Sequence, residues 1–543
     1  MLRVGIDVGG TFTDVVAIDA RARMIVRRIK VPTTHDAPDG VAAGIVRGLE
    51  ALLASPGISP DRISFIAHST TQATNALLEG DLARVGLLGL VRGIGALTRA
   101  QVAISPYPVR FARVDDPEAV AAAVDALVSA GAEAIAASAA FGVDQPAPEI
   151  AAVAYARGRG VFATAGHEVS TLYGLRSRTR TAALNAAILP RMVRTSEVTA
   201  RATRRAGIDA PLMIMRSDGG VMNVEEVARR PILTMLSGPA AGIAGALLHE
   251  HVTDGIFIEV GGTSSDLSVI RRGLPQLRPA RIGRYRTLLR TLDVRTIAVA
   301  GGSLVRIDPH GSGLAAVRDV GPRSAHIAGF RYAAFTPRHA LDGARVTFSA
   351  PQSGDPADYV SLELRDGTRV APTPTCAANL LGLVPESAFA RGDAQSARIA
   401  FELVGGRLGV DAGSLAQAVL KRAGRTMRAT IEELMHDYAL DARSVELVGG
   451  GGAAAALVPF VAGELGIEHR IARDAEVISP VGVALALVRE VVERTIPAPS
   501  PEDIVRVRRE AVERVVAGGA DPALVDVAIE LDAQRSLVRA TAQ

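Results

Sequence analysis

The sequence carries one short pattern of chemically capable residues twice. Asp7-x-Gly9-Gly10-Thr11-x-x-Asp14 near the start matches Glu259-x-Gly261-Gly262-Thr263-x-x-Asp266. A glycine pair in a turn lets backbone N–H groups converge on an anion, and neighbouring Thr and Ser hydroxyls add donors. The acid before each pair can hold a hydrated Mg²⁺ or orient a water. The repeat therefore predicts two halves of like fold, each with a phosphate-binding hairpin.

A third glycine group, Gly449–Gly452, follows a predicted strand over 445–448 and precedes an Ala-rich helix. Two hairpins facing each other across a cleft would hold the β- and γ-phosphates of a nucleotide from both sides. The third loop would then leave room for the nucleoside. The pattern thus predicts a nucleotide site with three glycine-rich walls.

The basic residues exclude several other ways of handling phosphate. Lys30 and Lys421 are the only lysines among 60 Lys plus Arg residues, and neither lies in a motif. A P-loop needs a Gly-Lys pair, a protein-kinase site needs a strand lysine, and a pyridoxal enzyme needs a Schiff-base lysine. The single cysteine, Cys376, excludes an intrachain disulfide or a Cys-rich metal site. Phosphate binding is therefore assigned to backbone amides, hydroxyls and a carboxylate-held metal.

Charge and hydropathy narrow the class of partner. The formal net charge is +3 and aromatic residues make up 3%, without a basic stripe or stacking aromatics, so we expect no nucleic acid partner. No apolar stretch reaches membrane-spanning length uninterrupted, and an acid, Asp7, lies within the first apolar run. We expect a starting β-strand rather than a signal peptide, no membrane partner, and a cytoplasmic location.

Alternating strand and helix patterns position these motifs in an α/β fold. Strands are predicted at 2–8 and 13–18 on either side of the first turn, and helices at 37–54, 69–79, 117–130 and 147–158. A helix over 176–205 is predicted to be interrupted at Pro190. The stretch 331–372 alternates like an antiparallel insertion. After a Pro-rich linker we expect one helix (502–516) and one strand (524–530).

The repeat and these elements predict the domain organisation. The first domain would span residues 1–200 and contain the first hairpin. The second would span 201–495, with the second hairpin, the nucleoside loop and a β-rich insertion at about 326–375. Residues 496–543 would form a short C-terminal extension.

An ordered series of motif blocks runs along roughly residues 1–490: Gly5–Asp14, His68–Ala76, His167–Ser170, Arg178–Thr181, Arg216–Gly220, Ser237–Gly242, Gly261–Asp266, Ala300–Ser303 and Ser479–Gly482. In content and order this series resembles the hydantoinase/oxoprolinase family, the A-type subunits of ATP-dependent cyclic-amide hydrolases within the actin/sugar-kinase/Hsp70 superfamily.

The resemblance implies two ribonuclease-H-like domains with an interdomain nucleotide cleft, and ATP with Mg²⁺ (or Mn²⁺) as cofactors. From their positions in these motifs we expect Asp7 and Glu259 at the metal, and Asp7, His68, Asp218 and Asp266 as catalytic residues. The residues expected to bind nucleotide are Gly9, Gly10, Thr11, Thr13, Gly261, Gly262, Thr263, Ser264, Gly301, Gly302, Gly449, Gly450 and Gly451.

The implied activity is ATP-dependent ring opening of a cyclic amide such as hydantoin, N-methylhydantoin, 5-oxoproline or a lactam. The amide oxygen would be phosphorylated and water would then attack. Two departures from the family pattern are present: Glu259 stands where the family usually has Asp, and His326–Ala334 replaces a family block. The replaced block keeps open a nucleotide-binding subunit that is inactive without a B-type hydantoinase or carboxylase partner. A small-molecule kinase of the same fold is the other alternative. As partners we expect a B-type hydantoinase subunit or further copies of the chain in a homo-oligomer.

Overall fold

The computed structural model describes residues 1–9, 12–34, 40–70, 72–90, 109–282 and 285–543. Contacts divide the chain into two compact units. Unit 1 comprises Met1–Ala244, Leu277–Leu292 and Pro480–Gln543, and unit 2 comprises Gly245–Gln276 and Asp293–Ser479. This division differs from the boundaries expected at 200 and 495, because residues after 200 add strands to the first sheet and the C-terminal residues pack within unit 1.

The strands of the described chain are numbered from the N-terminus. They are β1 (Leu2–Val8), β2 (Phe12–Asp19), β3 (Ile25–Pro32), β4 (Ile63–His68), β5 (Val85–Leu90), β6 (Val109–Val114), β7 (Ala134–Ala139), β8 (Phe162–Ala165), β9 (Leu212–Met215), β10 (Val221–Asn223), β11 (Gly255–Val260), β12 (Ser265–Arg271), β13 (Leu274–Pro275), β14 (Leu277–Ile282), β15 (Tyr285–Leu292), β16 (Val294–Ile297), β17 (Ser303–Ile307), β18 (Val317–Ser324), β19 (Arg331–Tyr332), β20 (Arg345–Ser349), β21 (Tyr359–Glu363), β22 (Arg369–Ala371), β23 (Glu446–Gly450), β24 (Glu468–Ile471), β25 (Glu490–Thr495), β26 (Val527–Asp532) and β27 (Leu537–Ala542).

The α-helices are numbered in the same way. They are α1 (Val41–Leu53), α2 (Gln72–Glu79), α3 (Val120–Ser129), α4 (Ala147–Gly158), α5 (Gly166–Val169), α6 (Leu175–Arg205), α7 (Val224–Val227), α8 (Ser237–Leu248), α9 (Pro374–Leu380), α10 (Ala394–Leu408), α11 (Ala412–Asp437), α12 (Ala454–Leu465), α13 (Ile478–Leu485) and α14 (Pro501–Ala517).

The first hairpin lies at the centre of a six-stranded sheet in unit 1, ordered β10-β9-β4-β1-β2-β3. Strand β1 pairs antiparallel with β2 and parallel with β4. Its apolar side chains are almost completely buried and belong to one core cluster with residues of α1. Burial of these alternate positions sets the register, because a one-residue slip would turn them to the other face.

The second hairpin lies in unit 2 within a sheet ordered β13-β12-β11-β23-β24, with β16 also paired to β12. Strand β11 pairs antiparallel with β12 and parallel with β23. Each unit therefore has an acid-bearing central strand with an antiparallel hairpin partner on one side and a parallel strand on the other. The repeated sequence pattern corresponds to a repeated strand arrangement, as predicted.

Other sheets complete the two units. Unit 1 also contains the parallel sheet β6-β5-β7-β8 and the antiparallel pair of β14 with β15. Unit 2 contains a second sheet ordered β18-β17-β21-β22-β19, with β20 paired to β21. The predicted β-rich insertion is thus present, although its sheet begins at Ser303, before the insertion expected from 326.

Two expectations about local structure were wrong. Helix α6 continues through Pro190 without interruption, because its buried face packs along β7 and this packing compensates for the missing N–H. The C-terminal segment has two strands rather than one, and β25, β27 and β26 form an antiparallel sheet beneath α14. Alternate burial of Val538, Ala540 and Ala542 accounts for the strand that was missed.

Candidate functional site

The first hairpin brings Asp7 opposite Asp14 in the β1–β2 register. The turn closes with the Gly9 amide donating to the Phe12 carbonyl over 3.0 Å. Two predicted phosphate-binding residues of this turn, Gly10 and Thr11, lie outside the described residues. The hairpin itself, with acids at paired positions beside a glycine turn, is as the repeat predicts.

Asp7 is partly buried at the end of β1 and accepts a hydrogen bond from the Ser69 hydroxyl. Removal from water raises the pKa of Asp7 to about 6, since desolvation outweighs the Ser69 hydrogen bond. The charge of Asp14 also raises this pKa and that of Lys30 lowers it. The carboxylate is therefore short of positive neighbours, which suits a group that would face a hydrated cation.

Asp14 is paired with a residue that lies outside every motif of the linear sequence. The Lys30 ammonium lies opposite it on β3 and donates to Asp14 Oδ2 over 2.8 Å. Lys30 also stands 5.0 Å from the ring centroid of Phe12 in the turn. The expectation that both lysines lie outside every motif holds for the linear sequence and is wrong for the folded hairpin, because β3 brings Lys30 alongside β2.

Thr13, expected to bind phosphate, is buried on the inner face of β2. Its hydroxyl lies 3.1 Å from that of Thr33, which in turn donates to the Gly9 carbonyl over 2.9 Å. The Thr13 hydroxyl therefore stabilises the turn through Thr33, on the buried face of β2. It does not face solvent.

His68 ends β4, directly beside Ile6 of β1, and is 1% exposed. Its Nδ1 lies 3.1 Å from the Ser69 carbonyl, which can only accept, so Nδ1 carries the proton. Nε2 is then an acceptor, and it has no hydrogen-bond partner in the described chain. Burial lowers the pKa of His68 to about 4, so the ring is neutral at physiological pH.

The segment after His68 contacts another motif block within unit 1. The Thr70 amide donates to the Ser237 hydroxyl over 3.0 Å, and that hydroxyl donates to the Thr70 carbonyl over 2.8 Å. The Leu236 amide donates to the Thr74 hydroxyl over 3.0 Å. These contacts fix the loop that carries Ser69 to Asp7, so the order of the linear motifs corresponds to a packed arrangement.

The second hairpin brings Glu259 opposite Asp266 in the β11–β12 register. Glu259 accepts a hydrogen bond from the Ser479 hydroxyl at the start of α13. Asp266 accepts one from Thr296 on β16, and burial raises the pKa of Asp266. The turn closes with the Gly261 amide donating to the Ser264 carbonyl over 3.1 Å.

Three glycine segments of unit 2 meet around this turn. The Gly301 amide donates to the Gly261 carbonyl over 3.2 Å. A Cβ on Gly302 would lie 2.5 Å from the Gly262 carbonyl and 1.9 Å from the Tyr332 hydroxyl, so only glycine fits there. Gly451 has a φ of +83°, and a Cβ there would lie 2.5 Å from the Val260 carbonyl. Glycines far apart in sequence thus let three segments pack closely around the turn, with Gly301 and Gly302 buried and Gly262 exposed.

Gly449 and Gly450 have a different environment from Gly451. The strand that precedes the glycine cluster continues through both residues, and they are buried. A Cβ on Gly449 would lie 2.8 Å from Ile471, and one on Gly450 would lie 2.6 Å from Phe257. Their small size serves packing in the core of the sheet, and the turn itself begins at Gly451.

Asp218 lies in unit 1, in a different turn from that of the first hairpin. Its carboxylate accepts a hydrogen bond from the Gly220 amide at 3.2 Å and forms an ion pair with Arg216 at 2.9 Å. Arg216 also pairs with Glu490. Asp218 is 7% exposed and carries the contacts of a structural Asx turn.

Sequence reasoning did not assign roles to Ser69, Ser479, Lys30 or Thr296, which hold the four hairpin acids. Ser69 and Ser479 lie in recognised motif blocks, so a signal for them was present. Lys30 and Thr296 lie on third strands whose register only the folded sheet defines.

The acids present are compatible with a magnesium–nucleotide complex. Mg²⁺ typically takes one or two carboxylates and completes its shell with water and substrate phosphates. Asp7 and Glu259 each offer one carboxylate at a strand end beside a glycine turn. Within the described residues there is no group of three or more His, Cys, Asp and Glu side chains able to form an all-protein metal cage.

Comparison with solved structures defines the class of protein as a mixed α/β fold shared with two ATP-dependent enzymes. The crystal structure of ATP-dependent caprolactamase from Pseudomonas jessenii superposes with a TM-score of 0.71 at 23% identity, covering 99% of this chain and 87% of that one. Nucleotide-free acetone carboxylase superposes with a TM-score of 0.63 at 19% identity, covering 97% and 79%.

The chain belongs to the hydantoinase/oxoprolinase family. The family's main domain, described as Hydantoinase/oxoprolinase, matches residues 178–492, and its N-terminal region matches residues 3–108. The resemblance inferred from the linear motifs is therefore confirmed.

Two curated relatives are similar over much of the chain. Caprolactamase subunit alpha of Pseudomonas jessenii is 26% identical over 504 residues, which cover 86% of this chain and 67% of that protein. The acetophenone carboxylase gamma subunit of Aromatoleum aromaticum is 28% identical over 377 residues, which cover 59% and 49%. Among the described residues, no helix is long and apolar enough to span a membrane.

Proposed function

We propose that this protein uses ATP to open the ring of a small cyclic amide. The observation that carries the proposal is the pair of hairpins with identically placed acids, in a chain that belongs to the hydantoinase/oxoprolinase family and resembles a caprolactamase subunit. An unactivated amide is resonance-stabilised and resists attack by water. Coupling to ATP removes that resistance.

In the proposed reaction the amide oxygen attacks the γ-phosphorus, the bond to the leaving ADP oxygen breaks, and an imidate-like phosphate forms. Water then adds to the activated carbon. Collapse of the tetrahedral intermediate breaks the ring C–N bond, which frees the amine and leaves an acyl phosphate. A second water hydrolyses the acyl phosphate to the carboxylate and inorganic phosphate. As in phosphoryl transfer generally, the protein's contribution is positioning and stabilisation of charge.

Each hairpin is proposed to bind phosphate within its own unit. In unit 1, the turn amides after Asp7 would donate to phosphate oxygens, with Lys30 adding positive charge beside Asp14. In unit 2, the Gly262 amide and Thr263 would do the same, since the Gly261 amide already closes the turn. Gly301, Gly302 and Gly451 would support this turn by letting neighbouring segments pack closely against it.

Asp7 in unit 1 and Glu259 in unit 2 are each proposed to hold a metal ion or its waters. A bound Mg²⁺ would neutralise charge on the transferring phosphate. Ser69 and Ser479 donate to these acids and so orient the oxygens that remain. An ionised Asp7 is required for this role, and a nearby cation would favour the ionised form by offsetting the burial that raises the pKa of Asp7.

His68 would act through its unprotonated Nε2. This atom is buried with no partner in the described chain, and its neighbour Ser69 binds Asp7. A neutral imidazole nitrogen can accept a hydrogen bond from water or from a substrate N–H group. Asp266 and Asp218, by contrast, are assigned to holding their turns through Thr296 and Arg216.

The test is the rate of ATP hydrolysis with and without hydantoin, 5-oxoproline, caprolactam and smaller lactams, with mass spectrometry of the products. Stimulation by one ring, with stoichiometric ADP, phosphate and ring-opened product, is the expected result. A phosphorylated, unopened product would instead identify a small-molecule kinase. Absence of stimulation by every ring, alone and with a partner subunit, would contradict the proposal.

A dependent-subunit function is favoured by one specific observation: both curated relatives are named as subunits. We therefore propose that a B-type subunit completes the activity. Under this proposal the chain alone binds ATP, and ring opening is measured only after the partner is added. A homo-oligomer fully active alone would contradict the requirement for a partner while leaving ring opening intact.

A further inference from the structure

A cavity of about 120 Å³ lies wholly within unit 1 and is bordered by none of the residues assigned to phosphate or metal. Its walls come from residues 168–172 at the end of α5, the turn that holds Asp218, strands β14 and β15, and the C-terminal sheet. A cavity of about 150 Å³ accommodates benzene, so this one suits a compact ligand.

The polar wall of the cavity is dominated by guanidinium groups. Six arginines border it: Arg216, Arg230, Arg290, Arg489, Arg514 and Arg539. Three of them, Arg216, Arg290 and Arg489, have a buried Nε with no hydrogen-bond partner in the described residues. The Arg216 side chain is only 5% exposed, held in place by Glu490 and Asp218 through its terminal nitrogens. A buried N–H without a partner costs free energy, so these donors favour an acceptor in the cavity.

The carboxylates that border the cavity already have arginine partners. Asp218 pairs with Arg216 at 2.9 Å, and Glu493 and Glu530 pair with Arg539 at 2.7 and 2.5 Å. Arg489 differs: its Nη1 donates to the Asp218 carbonyl at 3.3 Å, and no carboxylate of the described chain forms an ion pair with it. Within the described residues, Arg489 is thus the arginine of this wall without a carboxylate partner.

Glu168 sets the charge that the ligand can carry. It borders the cavity 3.9 Å from Arg157, and its Oε2 accepts no hydrogen bond within the described chain. This oxygen would repel a second negative charge on a ligand. A monoanion therefore matches the cavity better than a dianion.

The remaining wall is apolar and calls for an apolar ligand body. It is formed by Val169, Leu172, Leu233, Leu277, Leu288 and Val491. A hydrocarbon wall facing a guanidinium cluster is the lining expected of a small-molecule site, where a few polar groups orient a mostly apolar ligand. Arginine is well suited to binding a carboxylate because its donors match the two oxygens.

We propose that this cavity is a binding site for a small monocarboxylate with a compact apolar body, with its carboxylate facing Arg489 and the unpartnered arginine Nε groups. Binding of a carboxylate in this cavity does not depend on the proposed ring-opening activity. The charge pattern and the apolar wall together define the ligand class.

The primary test uses the unmodified full-length chain and isothermal titration calorimetry. Cyclopropanecarboxylate, which has six heavy atoms, is the probe, and cyclopropanecarboxamide is its neutral counterpart of the same size and shape. We expect one carboxylate to bind per chain and the amide to bind about 10-fold to 100-fold more weakly, because charge-assisted hydrogen bonds are lost. Absence of carboxylate binding, or equal binding of both probes, would overturn the proposal.

Variants then locate the site. Arg489→Gln should weaken carboxylate binding about 10-fold or more, and Arg489→Lys should retain part of it because the charge remains. Arg159→Gln is the matched control, since Arg159 is an exposed arginine of unit 1 paired with Asp125, and it should bind the probe as the unmodified chain does. Thermal unfolding checks that each variant is folded. Unchanged binding in a folded Arg489→Gln variant would overturn the assignment to this cavity.

Competition by phosphate and sulfate addresses the alternative of a general anion site. The expected result is that neither displaces the carboxylate at equal concentration, because both lack the apolar body and phosphate carries more charge past Glu168. Displacement by both inorganic anions at equal concentration would overturn the monocarboxylate assignment.

Discussion

The first hairpin, β1 with β2, and the second, β11 with β12, hold their acids at the same register positions but surround them with different partners. Ser69, which reaches Asp7, follows the neighbouring parallel strand, whereas Ser479, which reaches Glu259, begins a helix. The third strand supplies Lys30 beside Asp14 in one unit, and Thr296 beside Asp266 in the other.

The two copies of the motif therefore have different electrostatic surroundings. The third-strand position decides whether the second acid of the hairpin is neutralised by a cation or only hydrogen-bonded. In unit 1 the Lys30 charge also lowers the pKa of Asp7, against the larger effect of desolvation. We infer that the first hairpin has the more polarised phosphate environment, and that the two hairpins contribute unequally to turnover.

The largest expected effect is that of Asp7→Asn. Loss of the charge should lower ATP turnover by about 100-fold or more, as removal of a preorganised electrostatic group does. Stability should be unchanged or higher at pH 8. The native carboxylate has a folded pKa of about 6, raised from 3.8, so its stabilising contribution is present at low pH and lost as pH rises through 6.

Replacing the carboxyl group that has this raised pKa should increase the free energy of unfolding at pH 8 by at most about 3 kcal/mol. Turnover and urea denaturation, measured on the same preparation, separate the two effects. A variant with normal turnover would contradict the metal role of Asp7. A strongly destabilised variant would instead contradict the sign of the pKa argument.

Glu259→Gln should have the next largest effect, lowering turnover about 10-fold to 100-fold through loss of one charge at the second hairpin. Glu259→Asp is its control, because Asp keeps the charge and is the residue usual in the family, and it should retain activity within a few-fold. Steady-state kinetics on both variants test the inequality between hairpins. A Glu259→Gln loss larger than that of Asp7→Asn would reverse it.

Gly302→Ala tests the close packing of the glycine segments around the second hairpin in unit 2. The added Cβ would collide with the Gly262 carbonyl and the Tyr332 hydroxyl, so we expect a loss of about 1–3 kcal/mol in the free energy of unfolding. Gly406→Ala in α10 is the matched control: its Cβ would have open space, and it should stabilise by about 0.5–1 kcal/mol. Urea denaturation of both variants checks this, and a neutral Gly302→Ala would show that the loop yields easily.

The smallest expected effect is that of Lys30→Met. Because Lys30 lowers the pKa of Asp7, its loss should raise that pKa and move the acid limb of the kcat/KM profile to higher pH. Stability should change by less than about 1 kcal/mol, since the pair is near the surface. Thr296→Met in unit 2 is the control and should leave the limb in place. A shift to lower pH in Lys30→Met would contradict the argument.

Much of the local architecture was accessible from the sequence because its signals are local. Apolar alternation beside Gly9 and Gly261 predicted both hairpins, and the order of the motif blocks predicted the family. Turn chemistry and strand periodicity depend on residues a few positions apart, so one sequence carries them. The effect of Pro190 on helix α6 was misjudged and strand β27 was missed, because tertiary packing outweighed the local signal at both places.

The linear sequence by itself determined the acids, the glycine turns and the duplication, since these are properties of short segments. The tertiary structure alone decided what each acid touches. Lys30 is remote from every motif along the chain, yet strand register brings its ammonium to Asp14. The Arg489 cavity likewise joins residues that are far apart in the sequence. Contacts of this kind depend on strand pairing and packing between distant segments, which no local pattern encodes.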